Sequence, residues 1–465
     1  MTHRTILIAG AGFSGTMVAT HLLRSDGPPL RIVLIDRSPV VGRGVAYGTS
    51  WRGHLLIVPA GRMSAFPDDE EHFLRYARTR DETVTGGSFL PRPMYGEYLQ
   101  QLLDDAEREG SSRGHRLERC TDSVAGATVR TNGGARVCLA SGGTVDGAHL
   151  VLALGNHPPS APRPADGRSD FFESARYVSD PWVPGVLERV DPSGGVLLVG
   201  TGLTMLDVAL RLANAGGGAP IVALSRRGLL PLPHRPHGAP PSYGHLPPGL
   251  IACEPAAAAY LRAIRRHARV LAAEGVDWRE IMASLRPVTP RLWETLPPDE
   301  RARFLRHARA YWDTHRHRVS TDVWQRFQGL RSAGHVSVVA GRLLAFDEDA
   351  AGVTVRLRAR GADEQRSLRV GVVINCTGPE ADVRRIADPL VVSLLASGLA
   401  RPDVLGLGFD TDDHLALIGR DGTASPSLWL TGPLLKGRLW ESTAVPELRV
   451  HASRVARAVL RRTLA

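Results

Sequence analysis

The hydrophobic pattern repeats one arrangement twice: a short apolar run, a glycine-rich turn and a stretch with helical periodicity. The first copy, TILIAGAGFSGTMVATHLLR, begins at Thr5 and leads into another apolar run, RIVLID, which ends at Asp36. The second copy, GGVLLVGTGLTMLDVALRLANAG, leads into IVALSRR. This order predicts a strand, a turn, a helix and a parallel strand. We therefore predict an α/β fold with two Rossmann-like dinucleotide-binding domains.

Two other glycines, Gly155 and Gly378, each follow a different pattern. The segments ATVRTNGGARVCLASGGTVDGAHLVLALGN and FDEDAAGVTVRLRARGADEQRSLRVGVVINCTGP alternate apolar and polar residues between glycine-rich turns. Each segment ends in an apolar run that stops at the glycine. We predict two antiparallel meanders, each leading into a buried strand.

A proline-rich loop and a helical region separate the second unit from the second meander. Leu229 to Pro255 contains too many prolines for a helix or an inner strand. A helical insertion behind such a loop is a usual position for a lid or a substrate-shaping element. The predicted helices cover about 256–274, 278–285, 298–318 and 321–333, and a last helix begins around Pro446 and runs to the C-terminus.

The first glycine turn has the full spacing Gly10-x-Gly12-x-x-Gly15. These glycines allow a tight turn and a close approach of backbone N–H groups to a pyrophosphate. Asp36, at the end of the next strand, is placed to accept hydrogen bonds from a ribose diol. The combination strongly favours a bound dinucleotide over a carboxylate that merely faces water.

The second glycine turn differs at two points. Met205 replaces the third glycine after Gly200 and Gly202, and the following strand ends in Ser225, Arg226 and Arg227 instead of an acid. A carboxylate there would repel a 2′-phosphate, whereas serine and arginine bind one. The pattern predicts NADPH rather than NADH, against the alternative of ordinary surface arginines. Contacts are expected from Gly200, Gly202, Leu203, Thr204, Ser225, Arg226 and Arg227.

Composition narrows the class of protein. The 465 residues suffice for two or three domains, and the net charge is +10. The arginines are scattered, so we do not expect nucleic-acid binding. No apolar run reaches about 18 residues and no signal-peptide pattern is present, so we expect a soluble cytoplasmic protein without membrane association. The four cysteines are far apart, which predicts neither a redox dithiol nor a metal site.

Several segments carry a family resemblance. Beside the two glycine turns and the ALG and CTG strand ends, GRGVAYGTS, HLLIVPAGRMSAFPDDEEHFLRY, FLPRPMYGEYL, SRRGLLPLPH and GPLLKGRLWESTAVPEL resemble the bacterial FAD-NAD(P)-binding family of two-dinucleotide-domain flavoproteins. The chain departs from that pattern at Ile57, where a polar residue, often asparagine, is usual. The resemblance implies FAD domain parts at 1–165 and 379–465, an NADPH domain from 166–230, the insertion at 231–335 and the second meander at 336–378.

The resemblance also implies where FAD binds. Val373 to Gly378 and Ser427 to Gly432 are expected to be strands that deliver glycines to the FAD domain. The only lysine, Lys436, is expected to place positive charge near the flavin together with the start of the last helix. The predicted FAD residues are Gly10, Gly12, Phe13, Ser14, Gly15, Asp36, Val58, Arg62, Gly155, Gly378, Gly432, Pro433 and Lys436.

Two kinds of flavin chemistry, disulfide reduction and Baeyer–Villiger oxygenation, are disfavoured by the sequence. Disulfide reduction requires a cysteine pair, which is absent. The Baeyer–Villiger fingerprint F-x-G-x-x-x-H-x-x-x-W is matched only by Phe172 and Trp182 at its ends, with Ser174 and Val178 in place of glycine and histidine. The layout resembles N-hydroxylating monooxygenases, which use FAD, NADPH and O2 and oxidise an amine through a flavin C4a-hydroperoxide.

Within that group the chain is most similar to enzymes of natural product biosynthesis that oxidise L-aspartate to nitrosuccinate. The alternative is an NADPH-dependent flavin reductase or an electron-transfer flavoprotein that oxygenates nothing. A dicarboxylate substrate needs at least two cationic partners. Candidate substrate residues are Arg62, Arg291, Arg438 and His54; no acid or base is identified, and a homodimer is possible.

Overall fold

Two mixed, mainly parallel sheets form the frame of the molecule. The structure, a computed structural model, describes residues 4–464 apart from 132, 217 and 237–242. The strands are β1 (Arg4–Ala9), β2 (Leu30–Asp36), β3 (Arg116–Thr121), β4 (Val124–Val129), β5 (Ala135–Leu139), β6 (Thr144–Gly147), β7 (His149–Leu152), β8 (Tyr177–Val178), β9 (Val196–Val199), β10 (Ile221–Ser225), β11 (Val336–Asp349), β12 (Gly352–Ala359), β13 (Gln365–Val370), β14 (Val372–Asn375), β15 (Ala416–Ile418) and β16 (Ala424–Leu430).

Helices cover the sheets and form the insertion. They are α1 (Phe13–Leu23), α2 (Gly44–Tyr47), α3 (His72–Arg78), α4 (Arg92–Ser112), α5 (Leu203–Asn214), α6 (Ala257–Ala273), α7 (Trp278–Leu285), α8 (Thr289–Thr295), α9 (Pro298–His307), α10 (Arg309–Arg316), α11 (Thr321–Ser332), α12 (Pro389–Ala396) and α13 (Val445–Leu464). None of the helices in the described part of the chain is long and apolar enough to cross a membrane.

The first unit is built on a six-stranded sheet in the order β15-β16-β7-β1-β2-β3. All neighbouring pairs are parallel except β15 and β16. Ile6, Leu7 and Ile8 of β1 are all fully buried, as expected for a central strand that is covered on both faces. The first meander, β4-β5-β6, forms a separate three-stranded sheet and leads into β7 as predicted.

The second unit is built on a seven-stranded sheet in the order β13-β12-β11-β10-β9-β14-β8. Strand β11 pairs in parallel with β10 through its first residues and antiparallel with β12 through the rest. The second meander is therefore continuous with the dinucleotide sheet, whereas the first meander is a separate sheet.

One predicted strand lies in the other sheet. We expected Val373 to Gly378 to reach the first unit, but β14 pairs in parallel with β9 and β8 of the second unit. Its residues are fully buried between these neighbours, with Val373 and Ile374 at 0% exposure. Because an apolar strand that ends at glycine fits either sheet, its sequence alone does not select the partner.

The insertion is a helical layer with its own core. Tyr260, Ile281 and Trp293 pack there against Leu407 and Trp440 from the C-terminal part of the chain. The helix predicted at 298–318 is divided into α9 and α10, which meet at Ala308. The next predicted helix is α11, whose Phe327 is fully buried in the core of the second unit, so α11 covers that sheet.

Candidate cofactor and substrate site

The first glycine turn lies between the carboxyl end of β1 and the start of α1. Gly10 has φ +102°, and a Cβ there would lie 2.3 Å from the Ala153 carbonyl oxygen that follows β7. A Cβ on Gly15 would lie 1.8 Å from the Gly10 oxygen. Gly12 instead faces Gly44: a Cβ added to Gly12 would lie 3.7 Å from the Gly44 Cα. Gly10 and Gly15 are therefore required by the backbone, whereas Gly12 keeps the outer surface of the turn open.

Asp36 closes this turn from the neighbouring strand. One carboxylate oxygen accepts the Ala11 N–H at 2.6 Å and the other accepts the Ser38 N–H at 2.8 Å. A carboxylate has about four lone-pair sites, so capacity remains for a ligand hydroxyl. The predicted ribose contact is compatible with this geometry.

Two more predicted glycines reach the same edge of the sheet. Gly155 has φ +70° and nothing within 4 Å of its Cβ position. Gly432 has φ +97°, and its Cβ position lies 3.4 Å from Ser14 Oγ at the start of α1. Beside it, Thr431 Oγ1 is buried without a hydrogen-bond partner among the described residues. The residues present therefore fit a pyrophosphate at the start of α1.

The second glycine turn repeats this construction between β9 and α5. Gly200 has φ +119°, and its Cβ position lies 2.3 Å from the Cys376 carbonyl oxygen that follows β14. Gly202 has nothing within 4 Å of its Cβ position. Met205 takes the place of the third glycine and is fully buried. This unit therefore presents a second open turn at the start of a helix.

The end of β10 carries the residues predicted to select NADPH. The Ser225 hydroxyl lies 2.8 Å from Thr201 Oγ1 and accepts the Gly228 N–H at 3.0 Å. Arg226 is exposed and makes no ion pair within the described ranges. Arg227 lies over the Tyr311 ring of α10 at 5.7 Å. Arg226 is thus an exposed cation at this strand end without a carboxylate partner among the described residues.

Gly378 belongs to the second turn. It follows β14 with φ +88° and has nothing within 4 Å of its Cβ position, so it occupies the place that Gly155 has after β7. Because β14 pairs with β9 and not with the first sheet, a contact of Gly378 with FAD remains a prediction.

The two units meet at a polar and aromatic contact. Arg92 of α4 forms an ion pair with Asp207 of α5 at 2.6 Å. His54 is buried, its Nδ1 lies 2.8 Å from Thr49 Oγ1, and its ring lies 5.5 Å from Trp182. Burial lowers the pKa of His54 to about 4, with the charge of Asp207 opposing the shift. His54 is therefore a neutral group between the units.

The loop around Val58 contacts the proline-rich loop. Val58 is partly buried against the core of the first unit. The preceding residue, Ile57, offers its carbonyl oxygen to His234 Nε2 at 2.9 Å. Burial and the charge of Arg318 lower the pKa of His234 to about 3. His234 is therefore neutral, with its ring hydrogen on Nε2.

An arginine cluster forms where the insertion meets the first unit; its members are Arg62, Arg279, Arg286, Arg316 and Arg318. Burial lowers the pKa of Arg62 to about 10, and the charges of Arg286 and Arg316 add to this. Burial likewise lowers the pKa of Arg318 to about 10, with Arg316, Arg279 and Arg62 adding to the effect. These mutual effects show several cations crowded around one region of low polarity.

The predicted substrate arginines do not all reach this cluster. Arg62 belongs to it, but Arg291 is exposed on α8. Arg438 forms ion pairs with Asp413 and with Glu294 and donates to the Thr411 carbonyl oxygen. Sequence reasoning missed Arg318, because one arginine among 56 carries no local signal. Arg318 belongs to the segment RHRVS, which lies at the end of α10.

Lys436 lies on the insertion side of its segment. Its ammonium group is 4.7 Å from the centre of the Trp440 ring. Burial lowers its pKa, with the charge of Arg309 adding to the shift and Asp313 and Glu441 opposing it. The following Gly437 offers its carbonyl oxygen to Trp293 Nε1 at 2.8 Å. The segment is therefore held between the first unit and the insertion, and a contact of Lys436 with FAD remains a prediction.

Comparison with known proteins gives a family match over part of the chain. Residues 7–157 match the FAD-NAD(P)-binding family. No curated protein matches the chain. The description of that family agrees with the predicted cofactor class, FAD with a nicotinamide dinucleotide.

Solved structures share the fold over the full length. The ornithine N-hydroxylase of Kutzneria sp. 744 has 15% identity and a TM-score of 0.63, with 100% of both chains covered. The cadaverine monooxygenase of Erwinia amylovora has 15% identity and a TM-score of 0.64, covering 99% of this chain and 95% of its own. The L-lysine 6-monooxygenase of Pseudomonas syringae has 18% identity and a TM-score of 0.63, with coverages of 99% and 100%. The predicted two-domain flavoprotein fold is confirmed.

Proposed function

We propose that the protein is an FAD- and NADPH-dependent monooxygenase that oxidises the amine of a small amino acid, with L-aspartate converted to nitrosuccinate. The observation that carries the proposal is the fold, with two dinucleotide turns and a helical insertion, shared end to end with amine N-hydroxylases. The choice of aspartate comes from the sequence resemblance and from the cationic character of the arginine cluster.

FAD would bind to the first unit. Gly10, Gly12 and Gly15 would admit its pyrophosphate to the start of α1, Asp36 would accept from the ribose, and Gly155 and Gly432 would leave room beside it. When bound, the flavin would accept hydride from the nicotinamide and activate O2. The protein would contribute by placing the amine and excluding water.

NADPH would bind to the second unit. Gly200, Gly202 and Gly378 would surround its pyrophosphate at the start of α5. Arg226 would pair with the 2′-phosphate, because its side chain is exposed and makes no ion pair within the described ranges. Ser225 closes the turn through Thr201 and Gly228, so its role would be to shape the site.

The oxidation balances with O2 and NADPH alone. Each oxygenation uses one O2, one NADPH and one proton; one oxygen atom enters the substrate and the other leaves as water. Successive oxygenations convert the amine to a hydroxylamine and a nitroso group, with loss of a further water, and then to a nitro group. Neither an additional reductant nor a metal is needed.

An amino-acid panel tests the proposed function. Purified protein with FAD, NADPH and O2 is incubated with single amino acids, aspartate among them, and products are identified by mass spectrometry. We expect a hydroxylamine or nitro product from aspartate, together with NADPH consumption. Hydrogen peroxide equal to the NADPH consumed, with no product from any amine, would instead favour the flavin reductase alternative.

A further inference from the structure

The arginine cluster contains more positive than negative charge. Three of its members have carboxylate partners. Arg279 pairs with Asp277 at 2.9 Å, and Arg286 pairs with Glu447 at 2.5 Å. Arg316 contacts Glu441 at 3.1 Å and Glu447 at 3.5 Å.

Arg62 and Arg318 differ from these three. Neither makes an ion pair with any described residue. Both are half-buried, and burial lowers the pKa of each to about 10. Arg62 lies over the Tyr243 ring at 5.2 Å, and Arg318 lies over the Trp278 ring at 5.9 Å. Arg318 Nε is buried without an acceptor in the described ranges.

Contacts of His234 join the segments that carry the two arginines, and the charge of Arg62 is among those that lower the pKa of Arg318. His234 donates its backbone N–H to the Val319 oxygen at 2.8 Å, and its ring donates to the Ile57 oxygen at 2.9 Å. Val319 follows Arg318 directly, and Ile57 belongs to the loop that ends at Arg62. Because His234 is neutral, it joins the segments that carry Arg62 and Arg318 without adding a further positive charge.

Two half-buried guanidinium groups without a carboxylate partner among the described residues are unfavourable unless a ligand compensates them. The planar fork of donors in arginine matches a carboxylate. We propose that Arg62 and Arg318 are the specificity-determining pair for an amino dicarboxylate, each binding one of its two carboxylates. This inference rests on the proposed function and names the substrate class of that site. It excludes a diamine, since two ammonium groups would be repelled there.

Calorimetric titration with succinate, which has no amine to oxidise, tests the pair separately from turnover. The protein is loaded with FAD and NADP⁺ and titrated with succinate and with L-aspartate. We expect Arg318→Gln to weaken succinate binding about 30-fold, and Arg318→Lys to recover part of the loss. Arg62→Gln should act in the same direction. Arg262→Gln, which changes an exposed arginine of the same insertion, is the matched control and should bind succinate like the wild type.

FAD content and unfolding temperature show whether each variant folds. Unchanged succinate affinity in folded Arg318→Gln, or no succinate binding by the wild type, would overturn the pair even if aspartate is oxidised. Succinate binding that depends on Arg318, without oxidation of aspartate, would support the pair and refute the proposed function. The two failures are therefore distinguishable.

Discussion

The two dinucleotide units have the same backbone geometry at their glycine turns but carry different side chains there. In each unit the first glycine has a Cβ position 2.3 Å from a carbonyl oxygen of the adjacent parallel strand, supplied by Ala153 in one and Cys376 in the other. The third position differs, since Gly15 is in close contact with the turn whereas Met205 fills a core. The strand-end residue differs too, with Asp36 in one unit and Ser225 before Arg226 in the other. The backbone therefore dictates the first glycine in both units, whereas the charge at the strand end differs between them.

The largest expected effect comes from Gly15→Ala. The added methyl group would overlap the Gly10 oxygen, so the turn must open. We expect FAD binding at least 100-fold weaker, equal to about 2.7 kcal/mol, and destabilisation beyond about 3 kcal/mol. Flavin absorbance per chain after gel filtration measures this. Gly202→Ala, in the other unit, should retain its FAD; normal flavin content in Gly15→Ala would contradict the account of the first turn.

Met205→Gly tests the same position in the second unit. Restoring the usual glycine there should destabilise the protein, because Met205 is fully buried against the core of β9 and β10. We expect a loss of about 3 kcal/mol in the free energy of unfolding, measured by denaturant titration. Met205→Leu keeps the volume and serves as the control. If Met205→Gly were more stable than the wild type, the third position would require glycine in both turns, and the proposed difference between the turns would be wrong.

Arg226→Glu tests the difference in charge. It places a carboxylate one residue beyond Ser225, which is the equivalent of Asp36 in the first unit, and this carboxylate should repel a 2′-phosphate. We expect the KM for NADPH to rise about 30-fold, equal to about 2 kcal/mol, while the KM for NADH changes little. Steady-state NADPH oxidation measures both values. Arg420→Glu, a charge reversal remote from β10, controls for net charge, and an unchanged NADPH preference in Arg226→Glu would remove the assignment.

The smallest expected effect concerns pH at the contact between the units. The pKa of His54 is lowered from 6.5 to about 4 in the folded protein, so the unfolded state binds its proton more readily between these values. Stability is therefore complete above pH 6.5 and is lost as the pH falls towards 4. We expect His54→Gln to reduce the drop in unfolding temperature between pH 7.5 and pH 5 by about 2 °C.

The control for that measurement is His307→Gln, an exposed histidine at the end of α9. It should leave the pH dependence of the unfolding temperature as in the wild type. An equal pH dependence in His54→Gln and the wild type would show that the contact with Trp182 and Thr49 does not keep His54 neutral.

Local patterns predicted much of this molecule. The glycine spacing predicted the positions of both turns, and the alternation of apolar and polar residues predicted both meanders. The start of α13, predicted at about Pro446, lies at Val445. Pairing between distant strands was not predictable, since β14 carries the apolar run and terminal glycine that suit either sheet. Charge balance was not predictable either. Arg286 has a carboxylate partner, whereas Arg62 and Arg318 have none among the described residues, and such pairing depends on the fold and not on the local sequence.

The most direct test of the proposed function is oxidation of L-aspartate under ¹⁸O2 with purified protein, FAD and NADPH. The account predicts nitrosuccinate whose two nitro oxygens both derive from O2, formed only when NADPH is present. Consumption of NADPH with hydrogen peroxide as the sole oxygen-derived product, or a product without ¹⁸O, would contradict it.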